Sequence, residues 1–286
     1  MDAIGLALVS AALFGAMPVA VRLGYARAHV PAPAVVVLYM NLATFAVLVV
    51  AALIQGGVTV GGLWPFLLAG TIAPGISYLF ITAGIREAGS SRASVAFGTA
   101  PLFAVGLAVA FFGERPGIGV LAGAFLVVGG ALALAGERGR PEHVRTIGIV
   151  YALIGTALFS LRDNIVRHLS LETEVPSMTG GAATLASAIV VTAILILARR
   201  DRIDLPPSVI GPWLLPGAMI GLSYIALLEA FYRETVSVIA PIVGTESLFG
   251  VAFSALLLHR TEQVGRRLAL GALLVVAGGV LIALTR

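Results

Sequence analysis

The segment FGTAPLF at residues 97–103 recurs later in the chain as VGTESLF at residues 243–249. The two segments share Gly, Thr, Leu and Phe in the same order, at an offset of 146 positions. Further matches follow in sequence order at nearly the same offset: Ala12-Leu13-Phe14 with Ala157-Leu158-Phe159, Arg22 with Arg167, Ser77-Tyr78 with Ser223-Tyr224, Glu114 with Glu262, and Gly123 with Gly271. Coincidence in an apolar chain does not explain Arg, Tyr and Glu in register. The series therefore predicts two tandem copies of one unit, which we place at residues 1–140 and 141–286.

The composition of the chain is that of a membrane protein. Hydrophobic residues make up 59% of the 286 positions and charged residues only 11%, whereas soluble domains carry about 25% charged residues. A helix needs about 20 apolar residues to cross the hydrocarbon core of a bilayer. We identify ten such runs, at residues 3–25, 33–54, 62–85, 92–112, 117–135, 147–169, 177–198, 209–232, 235–258 and 265–285.

The number of runs in each half has a consequence for the topology. Each half holds five runs, so the second copy enters the membrane from the opposite side. Inverted repeats of this kind are a common plan of secondary transporters, with the substrate site near the midplane between the halves. We expect an all-α integral membrane protein of ten transmembrane helices, built as two inverted five-helix repeats around a central cavity.

Several classes of function are disfavoured by the residues present. The net charge is +4, but every basic residue is Arg and the arginines lie between the apolar runs, so we expect no nucleic-acid partner. There is no Cys, and the four His show no ligand spacing, so no metal site is predicted. Without Lys or a phosphate-binding loop, ATP-driven transport is not expected. No clustered acid, His or nucleophile indicates a catalytic residue, and we predict neither an enzyme nor a cofactor.

A set of short motifs resembles a known family. The first run carries Leu13-Phe14-Gly15 followed by Arg22, the fourth carries Pro101 and ends in Gly113-Glu114-Arg115, and the fifth has spaced glycines. In this order the motifs resemble the drug/metabolite transporter superfamily of the EamA type, over nearly the whole chain. The resemblance implies a transporter of small metabolites, and the pattern is most similar to that of the amino-acid exporters. Two departures from the family pattern concern the substrate. Phe14 replaces the usual Trp, and Met40-Asn41 replace a basic residue.

The best candidate for a functional side chain is Glu246, a carboxyl group in the middle of an apolar run. It could bind an amine or carry a coupling proton, or it could be a protonated acid that joins two helices by a hydrogen bond. The repeat-related Tyr78 and Tyr224 combine an aromatic ring with a polar tip, which can orient a substrate. Tyrosines are also common at membrane interfaces, which is the alternative explanation.

Other residues are weaker candidates for substrate binding. Asn41 can hydrogen-bond a substrate or a neighbouring helix. Asp163 either has a functional role or belongs to a helix-end ion pair with Arg162. Ser77 and Ser223 precede the two tyrosines and join the candidate set. Pro101 and Pro241 each remove a backbone donor, so we predict helix breaks there that act as hinges for alternating access.

The predicted partners are a small-molecule substrate and the lipid bilayer of the inner cell membrane, for a chain that is a monomer or homodimer. The leading function is export of amino acids or related compounds by a secondary transporter or facilitator. The alternatives are a multidrug or quaternary-cation exporter and a membrane-embedded enzyme. Of 18 arginines, 13 fall on the side of the odd-numbered connections. Positive residues stay cytoplasmic, which places both termini outside, whereas members of the family commonly have both inside.

Overall fold

The structure is a computed structural model that describes residues 2–27, 30–56, 61–112, 117–135, 145–170, 175–203, 206–231, 233, 242–259 and 265–285. All regular structure in these residues is helical. The helices are α1 (Ala3–Tyr25), α2 (Pro33–Ile54), α3 (Trp64–Gly70), α4 (Ser77–Ala88), α5 (Ser90–Phe97), α6 (Ala100–Phe112), α7 (Ile118–Ala135), α8 (Thr146–Ser170), α9 (Ser177–Arg199), α10 (Pro207–Phe231), α11 (Glu246–Leu257) and α12 (Arg266–Thr285).

Six segments of the described chain are long and apolar enough to cross a bilayer. They are Ala3–Tyr25, Pro33–Ile54, Trp64–Ala88, Ser177–Arg199, Pro207–Ala230 and Arg266–Thr285. Each has 20 to 25 residues, which matches the rise of 1.5 Å per residue through a core of about 30 Å. The chain is therefore a multi-pass membrane protein, as its composition predicts. The other four predicted runs correspond to α5 with α6, to α7, to α8 and to α11, and the first part of the last run lies outside the described residues.

Two of the predicted runs of the first half are interrupted. Between α3 and α4, residues Thr71–Ile76 form a widened turn in which Ala73 has a non-helical backbone, with φ −142° and ψ 127°. Between α5 and α6, Gly98 and Thr99 form a turn. Broken helices are tolerated inside a membrane only where protein or a cavity surrounds the exposed backbone groups.

The repeated segments at residues 97–103 and 243–249 have the same hydrogen-bonding geometry at their Gly-Thr pairs. The amide of Thr99 donates to the carbonyl of Ala96 at 3.1 Å, and the amide of Thr245 donates to that of Ile242 at 3.1 Å. Each threonine hydroxyl also donates to the same carbonyl, at 2.6 Å in both copies. The Gly-Thr pair therefore closes a turn before α6 and an equivalent turn before α11.

Equivalent helices of the two halves pack against one another in opposite directions. A Cβ atom at Gly123 of α7 would lie 2.7 Å from the carbonyl oxygen of Gly278 in α12, and one at Gly130 would lie 2.6 Å from that of Gly271. Increasing residue number along α7 thus meets decreasing number along α12. Only glycine permits such close backbone approach, and small residues are the usual contact between membrane helices.

The helix α5 also packs in an antiparallel way, against α11, which is the equivalent of α6. The hydroxyls of Ser90 and Ser254 lie 2.7 Å apart, and a Cβ atom at Gly98 would lie 3.0 Å from the Cβ of Ser247.

The two ends of the bundle can be named from the ends of α1. At the Ala3 end, the start of α1 packs against Leu227 and Ala230 near the end of α10. At the Tyr25 end, Arg22 donates to the carbonyl of Arg86 at 2.8 Å.

The Tyr25 end is also tied across the junction between the two halves. The guanidinium of Arg145 lies 3.1 Å from the Glu87 carboxylate, and its amide donates to the Glu87 carbonyl at 2.8 Å. Tyr25 and the buried Trp213 meet edge to face at 5.1 Å. The Tyr25 end is therefore held together by polar and aromatic contacts between α1, α4, α8 and α10.

Candidate functional site

A cavity of about 290 Å³ lies between α2, α3, α8, α9 and α10. Its lining comprises Leu48, Phe66, Arg162, Val175, Ser177, Gly181, Thr184, Leu185, Tyr224 and Leu228. Phe66 and Ser177 come from the first residues of their helices, and Leu228 lies close to the helix end that packs beside Ala3. The cavity therefore occupies the half of the bundle toward the Ala3 end. Mostly apolar walls with a few polar groups are typical of a small-molecule site.

Arg162 supplies a positive charge to this cavity. Its guanidinium donates to the Tyr224 hydroxyl at 3.0 Å and lies 4.8 Å from the centroid of the Phe159 ring. Phe159 is one helical turn before Arg162, so the ring and the guanidinium share a face of α8. The Tyr224 ring centroid is 6.0 Å from the same guanidinium. The aromatic faces and the phenol stabilise a charge whose placement in a bilayer costs at least about 2.5–3.5 kcal/mol.

The two tyrosines predicted as a pair occupy equivalent places but different environments. Tyr224 packs edge to face on Phe14 at 5.5 Å, and Tyr78 stacks on Phe159 at 5.6 Å. The two phenylalanines are themselves repeat-related, so one aromatic contact occurs twice. Tyr224 lines the cavity, whereas Tyr78 is only 2% exposed and does not.

The serines that precede these tyrosines are buried and lie away from the cavity. The Ser223 hydroxyl lies 2.9 Å from the Ser10 hydroxyl and donates to the Ser10 carbonyl at 2.8 Å. Within the described part of the chain the Ser77 hydroxyl has no hydrogen-bond partner. The reason is a change of residue: where Ser10 faces Ser223, the equivalent Gly155 faces Ser77.

Asn41 is fully buried in α2, and neither atom of its amide has a hydrogen-bond partner among the described residues. The neighbouring buried Thr44 differs, since its hydroxyl donates to the carbonyls of Met40 and Gly217 at 3.0 and 2.7 Å. Within the described part of the chain, Asn41 is therefore an unsatisfied polar group, and it does not line the cavity between α2, α3, α8, α9 and α10.

Glu246 is the first residue of α11 and is half-buried. Its carbonyl oxygen would lie 2.5 Å from a Cβ atom at Gly15, so glycine at the centre of α1 permits close approach to α11. Gly15 follows Phe14, which packs on Tyr224. The backbone of Glu246 therefore meets α1 next to the aromatic contact, and Glu246 is not among the residues that line the cavity.

The remaining predicted residues are placed only in part. Asp163 lies in α8 directly after Arg162, and its side chain is outside the described part of the structure. Pro101 is the second residue of α6, where a missing N–H costs no helical hydrogen bond. The interruption of this run is instead at Gly98 and Thr99. Pro241 lies outside the described residues.

Sequence reasoning missed the cation of the cavity. Arg162 was considered only as a neighbour of Asp163, and Phe66, Ser177 and Thr184 were not singled out. One signal was present in the repeat: at the offset that joins Phe14 to Phe159, Arg162 corresponds to Met17. A charge in one copy with an apolar residue in the other indicates a function that the symmetric scaffold does not need. Among the described residues, no group of three or more His, Asp and Glu is placed to hold a metal ion.

These features define a multi-pass helical membrane protein of two repeats, with a small-molecule cavity inside the bundle. The sequence pattern of the EamA-like transporter family matches residues 1–136 and 146–284. The chain belongs to this family and is thus a membrane transporter of the drug/metabolite transporter superfamily, as the motifs predict. No curated protein matches the chain. A crystal structure of another protein is similar over 98% of this chain and 95% of that one, with a TM-score of 0.65 and 18% identity, which shows a shared fold.

Proposed function

We propose that the chain is a secondary transporter or facilitator that moves small carboxylate-bearing metabolites, amino acids first, by alternating access and in the direction of export. The observation that carries this proposal is the Arg162 guanidinium beside the Tyr224 hydroxyl in the cavity. A guanidinium presents paired N–H donors that match a carboxylate, and such charge-assisted bonds are about twice as strong as neutral ones.

The rest of the cavity fits the same class of substrate. Ser177 and Thr184 add hydroxyl groups, and Phe66 with the leucines adds apolar wall for a side chain. A cavity of about 290 Å³ is at the lower limit of ordinary ligand pockets, which favours metabolites over bulky drugs. Glu246 remains our candidate for the amine or for a coupling proton. Asn41, Asp163, Ser77, Ser223 and Tyr78 remain candidates for contact with substrate during the cycle, and Pro101 and Pro241 remain candidate hinges.

Alternating access needs two halves that can exchange conformations. We propose ten spans in two inverted halves, residues 1–140 and 141–286. The antiparallel contact of α7 with α12 supports inversion, because equivalent helices of a parallel repeat would not run in opposite directions. The proposed location is the inner cell membrane, with the chain as a monomer or homodimer.

A quaternary-cation exporter is the main alternative, and Arg162 argues against it. A fixed cation in the cavity repels a permanently positive substrate, whereas the aromatic rings that could cage such a substrate are already occupied by Arg162 itself.

Transport by purified protein in proteoliposomes tests the proposal. The panel would include neutral amino acids, their decarboxylated amines and a quaternary ammonium compound. We expect uptake of the amino acids above that of empty liposomes, and a fall to background for Arg162→Gln. Arg162→Lys should retain part of the activity, since it keeps the charge but loses the paired donors.

The control for these variants is Arg233→Gln, which removes an arginine from a surface pair with Glu229 and should transport as the wild type does. Uptake of amines or quaternary cations alone, or wild-type amino-acid uptake by Arg162→Gln, would overturn the proposal.

A further inference from the structure

We infer that Asn41 is a substrate-contacting residue of the state that opens toward the Tyr25 end. This inference rests on the proposed function, because it requires that the two halves alternate. Its starting point is the buried amide of Asn41, which has neither a donor nor an acceptor partner among the described residues.

The repeat assigns a counterpart to each residue of the present cavity. Helix α2 begins at Pro33 and α9 begins at Ser177, an offset of 144 positions. Contacts with neighbouring helices confirm this alignment: the carbonyl of Met40 faces Gly217 in α10, and the carbonyl of Thr184 faces Gly70 in α3. The cavity residues of α9, Gly181, Thr184 and Leu185, therefore correspond to Val37, Met40 and Asn41 in α2.

The counterparts are buried, and none of them lines the present cavity. Thr184 and Leu185 of the α9 set are only 3% and 1% exposed themselves, so the two sets differ in the cavity beside the α9 set. Val37, Met40 and Asn41 are each 0% exposed, and Tyr78, the counterpart of Tyr224, is 2% exposed. Thr82, the counterpart of Leu228, is fully buried as well. In an inverted repeat, exchanging the conformations of the two halves exchanges which set is open. The state open toward the Tyr25 end would therefore expose the α2 set and close the α9 set.

Energetics single out Asn41 within this set. The Thr82 hydroxyl donates to the Tyr78 carbonyl at 2.7 Å and so has its partner in the closed state. Burying an amide without partners is unfavourable, because its N–H donors and its carbonyl lose their hydrogen bonds to water. An apolar side chain would fill this space without an unsatisfied amide, as the buried Leu185 does at the equivalent position of α9. The amide gains its hydrogen bonds when a cavity opens beside it.

The chemistry of Asn41 fits the proposed substrates. Its amide offers N–H donors for a carboxylate and a carbonyl acceptor for an ammonium group, the two charged groups of an amino acid. The charge of Arg162 has no counterpart in the α2 set, where the equivalent residue is Met17. The two open states thus present different polar groups to one substrate, a guanidinium on one side and an amide on the other.

Single-cysteine variants test this inference directly, because the natural chain contains no Cys. The variants are Asn41→Cys, its repeat counterpart Leu185→Cys, and Val127→Cys, which places the thiol in the buried contact between α7 and α12. A charged, membrane-impermeant methanethiosulfonate would be added to one face of sealed vesicles at a time. Each variant would first be shown to insert and fold, by its size-exclusion profile.

We expect Asn41→Cys to react from the face at the Tyr25 end and Leu185→Cys to react from the opposite face. Each reaction should be at least tenfold faster than that of Val127→Cys, and an amino acid that is transported should slow it. Val37→Cys, one turn earlier on the same face of α2, repeats the test if Asn41→Cys does not fold.

Failure of this inference differs from failure of the proposed function. If Asn41→Cys and Val37→Cys both fold but react no faster than Val127→Cys from either face, the assignment of Asn41 is overturned. Reaction of Asn41→Cys from the Ala3 end only would overturn it as well. Failure of the proposed function shows instead as wild-type protein that moves no member of the amino-acid panel.

Discussion

The hydroxyl of Tyr224 accepts a hydrogen bond of 3.0 Å from Arg162 and so joins α10 to α8 at the wall of the cavity. Tyr224→Phe removes this acceptor but keeps the ring that packs on Phe14. A hydrogen bond to a charged group contributes about 1.5–3 kcal/mol. We expect the KM for the transported amino acid to rise about tenfold, measured by initial rates in proteoliposomes.

The matched control for this variant is Tyr151→Phe, because Tyr151 packs on Phe80 and does not line the cavity. Equal effects of the two substitutions would show that the loss comes from general packing rather than from the Arg162 contact.

Glu246 is tested by Glu246→Gln, which keeps the shape of the side chain and its hydrogen-bonding capacity but removes the charge. If the carboxyl group binds the amine or carries a proton, transport or its pH dependence should be lost while the protein still inserts and folds. The measurement is uptake with and without a proton gradient, alongside size-exclusion profiles of both proteins. Wild-type uptake with an unchanged pH profile would eliminate this role and leave Glu246 as a contact between helices.

The glycine contact between α7 and α12 gives a stability prediction with an internal control. A Cβ atom at Gly130 would lie 2.6 Å from the Gly271 carbonyl oxygen, whereas one at Gly129 would meet nothing within 4 Å. Gly130→Leu should therefore separate the helices and cost about 1–3 kcal/mol or more. Gly129→Leu should leave the unfolding temperature in detergent within a few degrees of that of the wild type. Similar losses for both variants would contradict the contact.

The serines at the repeat-related positions 77 and 223 should respond differently to the same substitution. Ser223→Ala removes two hydrogen bonds to Ser10 and should destabilise the protein by about 1 kcal/mol. Ser77→Ala removes a buried hydroxyl without a partner in the described chain and should be neutral or stabilising. Thermal unfolding of the purified variants measures both. A larger loss for Ser77→Ala would contradict the structure at this site.

The arginine distribution predicts the orientation. Arg22, Arg86 and Arg145 meet at the Tyr25 end, and 13 of the 18 arginines belong to the odd-numbered connections. Since positive residues stay cytoplasmic, we expect the Tyr25 end inside and the cavity facing outside. A reporter that is active only in the cytoplasm should be silent when fused to the C-terminus, and activity there would reverse the assignment.

The scaffold was predictable because it depends on repeated, local properties of the sequence. Apolar runs of the right length follow from hydropathy alone, and the shared Gly-Thr pairs predicted the repeat. The turns that these pairs close before α6 and α11 were not predicted, because the helix breaks were expected at Pro101 and Pro241. Membership of the EamA-like family followed from the same ordered motifs. The break at Ala73 was not predicted, because Pro74 in an apolar run is compatible with a continuous membrane helix.

The site was less predictable because it depends on where the two halves differ. Arg162 follows a phenylalanine on one face of α8, and only the packing of α10 against that face brings Tyr224 to it. Tyr78 and Tyr224 are equivalent in sequence, yet one lines a cavity and the other is sealed. A sequence in which both tyrosines have the same neighbours does not say which side is open. Which side is open depends on the conformation that the protein adopts.

The glycine pairs of α7 and α12 also bear on how such a chain could arise. Gly123 meets Gly278, and Gly130 meets Gly271. Gly271 is the repeat equivalent of Gly123, and Gly278 is that of Gly130, so exchanging the two copies turns one contact into the other. A surface that is complementary to its own copy does not require that the two copies be covalently joined. Two separate half-length proteins, inserted in opposite orientations, could make the same crossing. Gene fusion would then have fixed one orientation for each copy, after which Arg162 and Asn41 were free to diverge from Met17 and Leu185.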